Sequence, residues 1–286
     1  MMNSPVFSVF TPTFNRRHLI NRVYESLCAQ TFKDFEWIII DDGSVDDTES
    51  LVNQYISEGS LNIKYKKIEN GGKVNAVNLG LDMASGFFFL VFDSDDWCTS
   101  NALDSFYQHW SKLDNPNDYC AISCLKSYQD GCVVGEKYTD YLGSLDSYVD
   151  RFNVSLKGDK WECIRTDIHK NYKYNLFAGE KYQAPEYSWL LMGSEYKTLF
   201  IDEVFSIVEY QDEGISKNNI KHRVNSAESA CRFYELAMKK SKSSKKKLTS
   251  YLNLKRFEAH SKNKSGFHFI GYTLASLDRL RIRFLM

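Results

Sequence analysis

Four apolar runs in the first hundred residues each break off at polar residues, and this pattern most limits what the chain can fold into. The runs are VFSVFT (6–11), FEWIIIDD (35–42), LNIKYKKI (61–68) and FFFLVFD (87–93). Between them lie RRHLINRVYESLCAQ (16–30), with apolar residues at helical spacing, and DDTESLVNQYI (46–56), whose acids suit a helix N-terminus. KVNAVNLGLDMA (73–84) is a third helix, preceded by the break Gly71-Gly72. Near-continuous apolar strands alternating with helices through short links predict a parallel sheet covered on both faces.

In such a sheet, ligands bind beyond the carboxyl ends of the strands. TPTFN (11–15), DDGSVDDT (41–48), ENGGK (69–73) and DSDDW (93–97) all fall there. Asp93 and Asp95 stand at i and i+2, so in extended chain both side chains point to one side and can hold Mg2+ or Mn2+. Capping of the following helix is the competing use, but a cap needs one acid rather than three. In DDGSVDDT, Gly43 permits a turn and Ser44 or Asp46 can cap a helix. Capping leaves Asp41 and Asp42 unexplained at the end of an apolar strand, where an unpaired carboxylate is costly. A base N–H or ribose hydroxyl is a second use for them. Gly71-Gly72 can form an ordinary turn, or bring backbone amides to an anion with Lys73 adding charge. No GxxxxGK[ST] or GxGxxG occurs, so the P-loop and dinucleotide fingerprints are absent.

After Asp96 the alternation loosens. NALDSFYQHWSKL (101–113) reads as a helix, and short strands such as YCAISCL and LFIDEVFSIVEY are spread through 118–210. AESACRFYELAMKK (227–240) and LTSYLNLKRFEAHS (248–261) are helical, with the Lys/Ser run 239–247 as a solvated link or helix edge. The boundaries drawn are 1–97 for the half carrying these clusters, 98–215 for a substrate-facing half of the same domain and 216–286 for a basic helical region. The 286 residues, 43% hydrophobic, suffice for a sizeable core. Net charge is −1, yet Lys and Arg dominate beyond residue 216, and the tail 268–286 interleaves basic and apolar residues. That tail suits an anionic membrane surface or, equally, a packed terminal helix with a basic edge. No nucleic-acid motif occurs. Seven cysteines without a CxxC pair read as free buried thiols in a reducing compartment. The N-terminus lacks a signal-peptide pattern and no run reaches 18 apolar residues, so a cytoplasmic protein without a transmembrane span is expected.

Taken together and in this order, TPTFN, DDGSVDDT, NGGKVNAVNLGL (70–81) and FDSDD (92–96) resemble the inverting glycosyltransferases of family 2. The resemblance implies the α/β GT-A fold, a Rossmann-like, mostly parallel central sheet flanked by helices, here with a C-terminal helical extension. It implies that Thr11, Pro12 and Phe14 border the nucleotide base and that Asp42 or Asp41 bonds to uracil or its ribose. Lys73 would lie near the base or diphosphate. Asp93 would face ribose and metal, with Ser94 beside it, and Asp95 would be the main metal ligand. The donor implied is a nucleotide-sugar, most often a UDP-sugar, and the acceptor a saccharide or lipid-linked saccharide of polysaccharide biosynthesis. The family's acidic segment over the acceptor is matched by AGEKYQAPEYSWLLM (178–192), without the usual Glu-Asp pair. Glu186 is the expected general base and Glu180 the second candidate. His222 is a candidate to complete the metal site, and Trp161, Tyr182, Tyr187 and Trp189 either stack on sugars or belong to the core. A nucleotide-sugar-binding protein without turnover is the alternative. A DxD phosphohydrolase fits less well, since the acids follow three strand-helix units and Trp97 stands where a Thr or Val would be needed.

Overall fold

The computed structural model describes residues 4–209, 211, 219–261 and 276; the tail 268–286, apart from residue 276, lies outside them. The described chain forms two compact units, Met1–Lys173 with Met192–Tyr210, and Tyr174–Leu191 with Gln211–Met286.

The first unit begins with the expected alternation. The strands are β1 (Phe7–Thr13), β2 (Phe35–Asp41), β3 (Ile63–Lys67) and β4 (Phe88–Val91). The helices are α1 (Ile20–Cys28), α2 (Thr48–Glu58) and α3 (Lys73–Met83). A short β5 (Trp97–Cys98) and α4 (Ala102–Ser111) follow, then β6 (Tyr119–Tyr128), α5 (Tyr148–Val154), β7 (Lys160–Arg165) and α6 (Thr166–Asn171). After α7 (Glu186–Met192) the chain enters β8 (Lys197–Val208). The strands form one sheet in the order β3-β2-β1-β4-β7-β6-β8-β5. β1 pairs in parallel with β2 and β4, while β7 runs antiparallel to both β4 and β6. This is the α/β, mostly parallel sheet read from the alternation.

Burial explains the composition of the strands. All residues of β1 and β2 are buried, whereas the edge strand β3 carries IKYKK and is half exposed. β1 extends through Pro12, although proline cannot donate to a sheet ladder. Phe92 N donates to Phe10 O and Asp42 N to Thr13 O, so alternation points the Pro12 nitrogen toward β4, whose pairing with β1 has ended at Phe10↔Val91. On the other face, Gly80 lets α3 approach β1: a Cβ there would sit 2.3 Å from the Phe10 ring. Trp161 is core, 2% exposed, with its indole N–H donating to Val91 O at 2.8 Å. All seven cysteines are free; Cys98, Cys120, Cys124 and Cys163 are buried as expected, but Cys132, in a turn after β6, is exposed.

The second unit contains all of α7 but its last residue, together with α8 (Asn219–Asn225), α9 (Ala227–Lys240) and α10 (Ser244–Glu258). Tyr234 of α9 stacks on Phe257 of α10 at 5.6 Å. The Lys/Ser run is not a separate link: Ser243 Oγ accepts from Lys246 N and starts α10. No helix among the described residues is long and apolar enough to cross a membrane.

Candidate active site

The carboxyl edge of the first unit's sheet gathers all four polar clusters. β1 ends at Thr13 and β2 at Asp41, directly opposite each other in the ladder. Asn15, in the left-handed region at φ 53°, ties the two ends together. Its N–H donates to Ser44 Oγ at 2.8 Å, and its Oδ1 accepts from Val45 N at 2.9 Å. Phe14, 45% exposed, is left presenting its ring at this edge.

The residues expected to touch the nucleotide divide by what already holds them. Thr11 is buried and its Oγ1 accepts from the Trp37 indole N–H at 2.9 Å. Pro12 is buried in the strand. Asp41 is fully buried; Oδ1 accepts from Ser44 N at 2.7 Å and Oδ2 from the Tyr65 hydroxyl at 2.9 Å. Asp42 holds the loop before α3, with Oδ1 accepting from Gly71 N at 2.7 Å and Oδ2 from Gly72 N at 2.9 Å. The two amides considered for an external anion therefore face the Asp42 carboxylate. Gly72, at φ 90°, takes a backbone conformation that side chains rarely allow, and so turns its N–H to Asp42.

The charged centre lies where α3 begins and β4 ends. Lys73 Nζ donates to Asp93 Oδ1 at 2.5 Å, with the side chains 35% and 34% exposed. Burial pushes the Asp93 carboxyl up, but the Lys73 and Lys126 charges outweigh it and hold it below the usual range. Asp95 has no ion pair among the described residues, and burial together with the Asp93 charge pushes it up. Ser94 is 7% exposed. Asp96, 5% exposed, is pushed up to about 7 by burial against the opposing charge of Lys126, with Asp93 and Asp95 adding to the rise. Lys126 Nζ donates to Asp96 Oδ2 at 3.1 Å and to Asp159 Oδ2 at 3.0 Å.

Two half-buried carboxylates in sequence i, i+2, one of them without a direct ion pair among the described residues, are a hard-oxygen donor set suited to Mg2+ or Mn2+. Among the described residues no third His, Cys, Asp or Glu joins them into a closed metal cage. That leaves positions for phosphate oxygens and water, as a catalytic rather than structural ion requires.

In the second unit the two candidate bases are in different situations. Glu180 accepts from Glu228 N at 2.8 Å, Ser229 N at 3.0 Å and Ser229 Oγ at 2.5 Å. Both of its oxygens are spent on the first turn of α9, where negative charge is favoured. Glu186 opens α7, and its Oε2 is buried without a hydrogen-bond partner. Tyr182 and Tyr234 both lie within electrostatic reach of that carboxylate and of the Arg223 guanidinium. The His222 ring packs on Tyr182 at 5.6 Å. Lys126 and Asp159 were not singled out in the sequence, although a lysine at the end of the apolar run YCAISCLK was a usable signal.

The sheet has the mixed, mostly parallel architecture expected of a GT-A fold, with an acidic, lysine-balanced carboxyl edge, and sequence comparison shows the class of protein. The pattern of Glycosyl transferase family 2 matches residues 8–169, and the chain belongs to that family. It is 30% identical over 270 residues to the GalNAc(5)-diNAcBac-PP-undecaprenol beta-1,3-glucosyltransferase of Campylobacter jejuni, covering 89% of this chain and 83% of that protein. The Staphylococcus aureus TarS 1–349 structure in complex with UDP-GlcNAc aligns at TM-score 0.58 and 20% identity, over 89% of this chain and 72% of that one. The Pyrobaculum calidifontis mannosyltransferase PcManGT, in complex with GDP-Man and Mn2+, aligns at TM-score 0.60 and 17% identity, over 98% and 81%. At these identities the structural likeness establishes the fold.

Proposed function

We infer that this glycosyltransferase moves a sugar from a UDP-sugar to a saccharide or lipid-linked saccharide acceptor, with inversion and with metal assistance. The observation that carries the reading is the charge arrangement at the end of β4. Asp93 is directly paired with Lys73, whereas Asp95 has no ion pair among the described residues, and burial with the Asp93 charge outweighs the more distant Lys73 and Arg16. Asp93 and Asp95 would hold a divalent cation, Mn2+ or Mg2+, which when bound would supply positive charge for a leaving diphosphate. Lys73, beside Asp93, adds a second positive charge at the same edge. Phe14 offers an exposed apolar face to the base, and Asp42 holds the loop that leads to Lys73.

The acceptor hydroxyl attacks the anomeric carbon from the face opposite the diphosphate. The new C–O bond forms as the anomeric C–O bond to the diphosphate breaks, and the configuration inverts. Glu186 takes the hydroxyl proton, a role typically worth about 10²- to 10⁴-fold in rate. Its support is local: Glu186 Oε2 has no hydrogen-bond partner among the described residues, whereas the Glu180 carboxylate is committed to α9. An undecaprenol-linked acceptor, as in the name of the Campylobacter relative, suits a cytoplasmic enzyme whose basic tail meets the inner membrane surface.

The test is donor binding and turnover in two variants. Glu186→Gln is expected to keep wild-type affinity for the UDP-sugar and lose about 10²-fold or more in turnover. Asp95→Ala is expected to lose the metal-dependent part of UDP binding. Wild-type turnover in the first, or metal-responsive UDP binding in the second, rejects the assignment concerned. Retained binding with no turnover in the wild type, across a panel of acceptors, would favour a donor-binding protein instead.

A further inference from the structure

The sheet's mixed topology brings a fourth acid to the edge that holds Asp93, Asp95 and Asp96. β7 runs antiparallel to β4, with Phe88 opposite Arg165 and Leu90 opposite Cys163. The start of β7 therefore lies where β4 ends. β6 is antiparallel to β7, with Leu125 opposite Lys160, so the end of β6 arrives at the same place. Asp159, the residue before β7, and Lys126, near the end of β6, are thus delivered to the acidic edge by strand pairing alone.

The Lys126 side chain is 7% exposed and bridges the two acids it meets. One, Asp96, is as buried as the lysine, while Asp159 is 47% exposed. This asymmetry distinguishes the pair from ordinary core charge balance. A buried ammonium whose only task was to neutralise Asp96 has no need of a second, solvent-facing carboxylate. The second bond fixes the orientation of Asp159, whose Oδ1 also accepts from Lys160 N at 3.1 Å. Lone pairs remain on both oxygens, and the exposed surface lets a ligand reach them. Electrostatic coupling of Asp159 to Lys73 and to Lys126 places it in the same charge group as Asp93.

The chemistry narrows what such a group receives. An anion is repelled by the Asp159 carboxylate itself. A cation at Asp159 Oδ2 would meet the Lys126 ammonium already there. A neutral hydroxyl, which donates to a carboxylate without carrying charge, meets neither obstacle. We propose that Asp159, positioned by Lys126, accepts a hydrogen bond from a hydroxyl of the sugar carried by the nucleotide, and so discriminates the sugar rather than the nucleotide. This rests on reading the acidic edge as the donor site.

The test separates sugar from nucleotide. Full-length wild type, Asp159→Asn, Lys126→Arg and Lys126→Met are titrated calorimetrically with UDP, UDP-glucose, UDP-N-acetylglucosamine, GDP and GDP-mannose in the presence of Mn2+. Asp159→Asn is expected to bind the free diphosphates within twofold of wild type. It should weaken the sugar nucleotide that wild type prefers by about tenfold, in line with loss of a hydrogen bond to a charged group. Lys126→Met is expected to show the same sugar-specific loss, and Lys126→Arg to restore most of it. Unchanged sugar-nucleotide affinity in Asp159→Asn overturns the proposal, as does an equal loss for the free diphosphate, which would mark a merely structural role. Should Lys126→Met fail to fold, the Asp159→Asn result decides alone. If wild type binds none of the five, the donor-site reading itself falls; if it binds the diphosphates no less tightly than their sugar derivatives, only the sugar contact falls.

Discussion

His169 shows how one residue can set the acid sensitivity of the first unit. It is 1% exposed in α6, edge-on to Phe89 at 5.8 Å, and burial lowers its pKa from 6.5 to about 4. The folded chain keeps it neutral, so as the pH falls the unfolded chain takes up the proton first. Stability is then complete above about pH 6.5 and declines toward pH 4, by up to about 3 kcal/mol. Urea unfolding at pH 7 and pH 5 should show wild type losing about 2 kcal/mol more than His169→Phe. Equal losses in both would remove His169 as the cause. At this same scale the sequence was least able to say what each acid does. It offered Thr11, Asp41 and Asp42 as ligand contacts, but apart from Ser44 N on Asp41 the hydrogen-bond partners given for them come from segments 24 to 30 residues away. Whether a carboxylate at a strand end faces the ligand or its own chain is settled by such distant partners, and spacing does not contain them. Asp93 and Asp95 could be proposed as a pair from the sequence because their i, i+2 geometry is local.

Among the elements, the alternation in the first hundred residues located β1 to β4 and the helices between them, since a buried parallel strand needs a continuous apolar run. Helix ends were less legible: α1 begins at Ile20 rather than near Arg16, because Arg17 N donates to Asp46 Oδ2 and Leu19 N closes a turn onto Arg16 O before the helix starts. The antiparallel entry of β7 between β4 and β6 was not legible at all, being a pairing between distant segments, and with it Lys126 and Asp159 were missed. The α3–β1 contact gives a prediction for the helical layer. Gly80→Ala gains up to about 1 kcal/mol of helix propensity. It also drives a methyl group to within 2.3 Å of the Phe10 ring, which is itself stacked on Phe89 and fully buried. Overpacking of this kind costs about 1–3 kcal/mol, so a net loss of about 1 kcal/mol is expected in urea unfolding. A gain would mean that the ring can shift freely.

For the molecule as a whole, donor binding should appear as added stability. A ligand at about 100 times its dissociation constant contributes about 2.7 kcal/mol, which for a chain of this size raises Tm by about 5 °C or more. A UDP-sugar with Mn2+ should give such a rise, a chelator should remove most of it, and Asp95→Ala should show little to begin with. An equal rise with and without chelator would detach the metal from donor binding. The opposite, amino end of the strands is built otherwise. There Glu36 is 1% exposed and receives hydrogen bonds from Ser8 Oγ at 2.6 Å, Ser85 N at 2.8 Å and Ser85 Oγ at 2.9 Å, with Lys64 Nζ 2.5 Å away. A single side chain thereby pins the beginnings of three neighbouring strands and reaches a fourth. The sheet is bound there like the spine of a book, and whatever opening the pages undergo to admit and release a molecule must happen along their free margin.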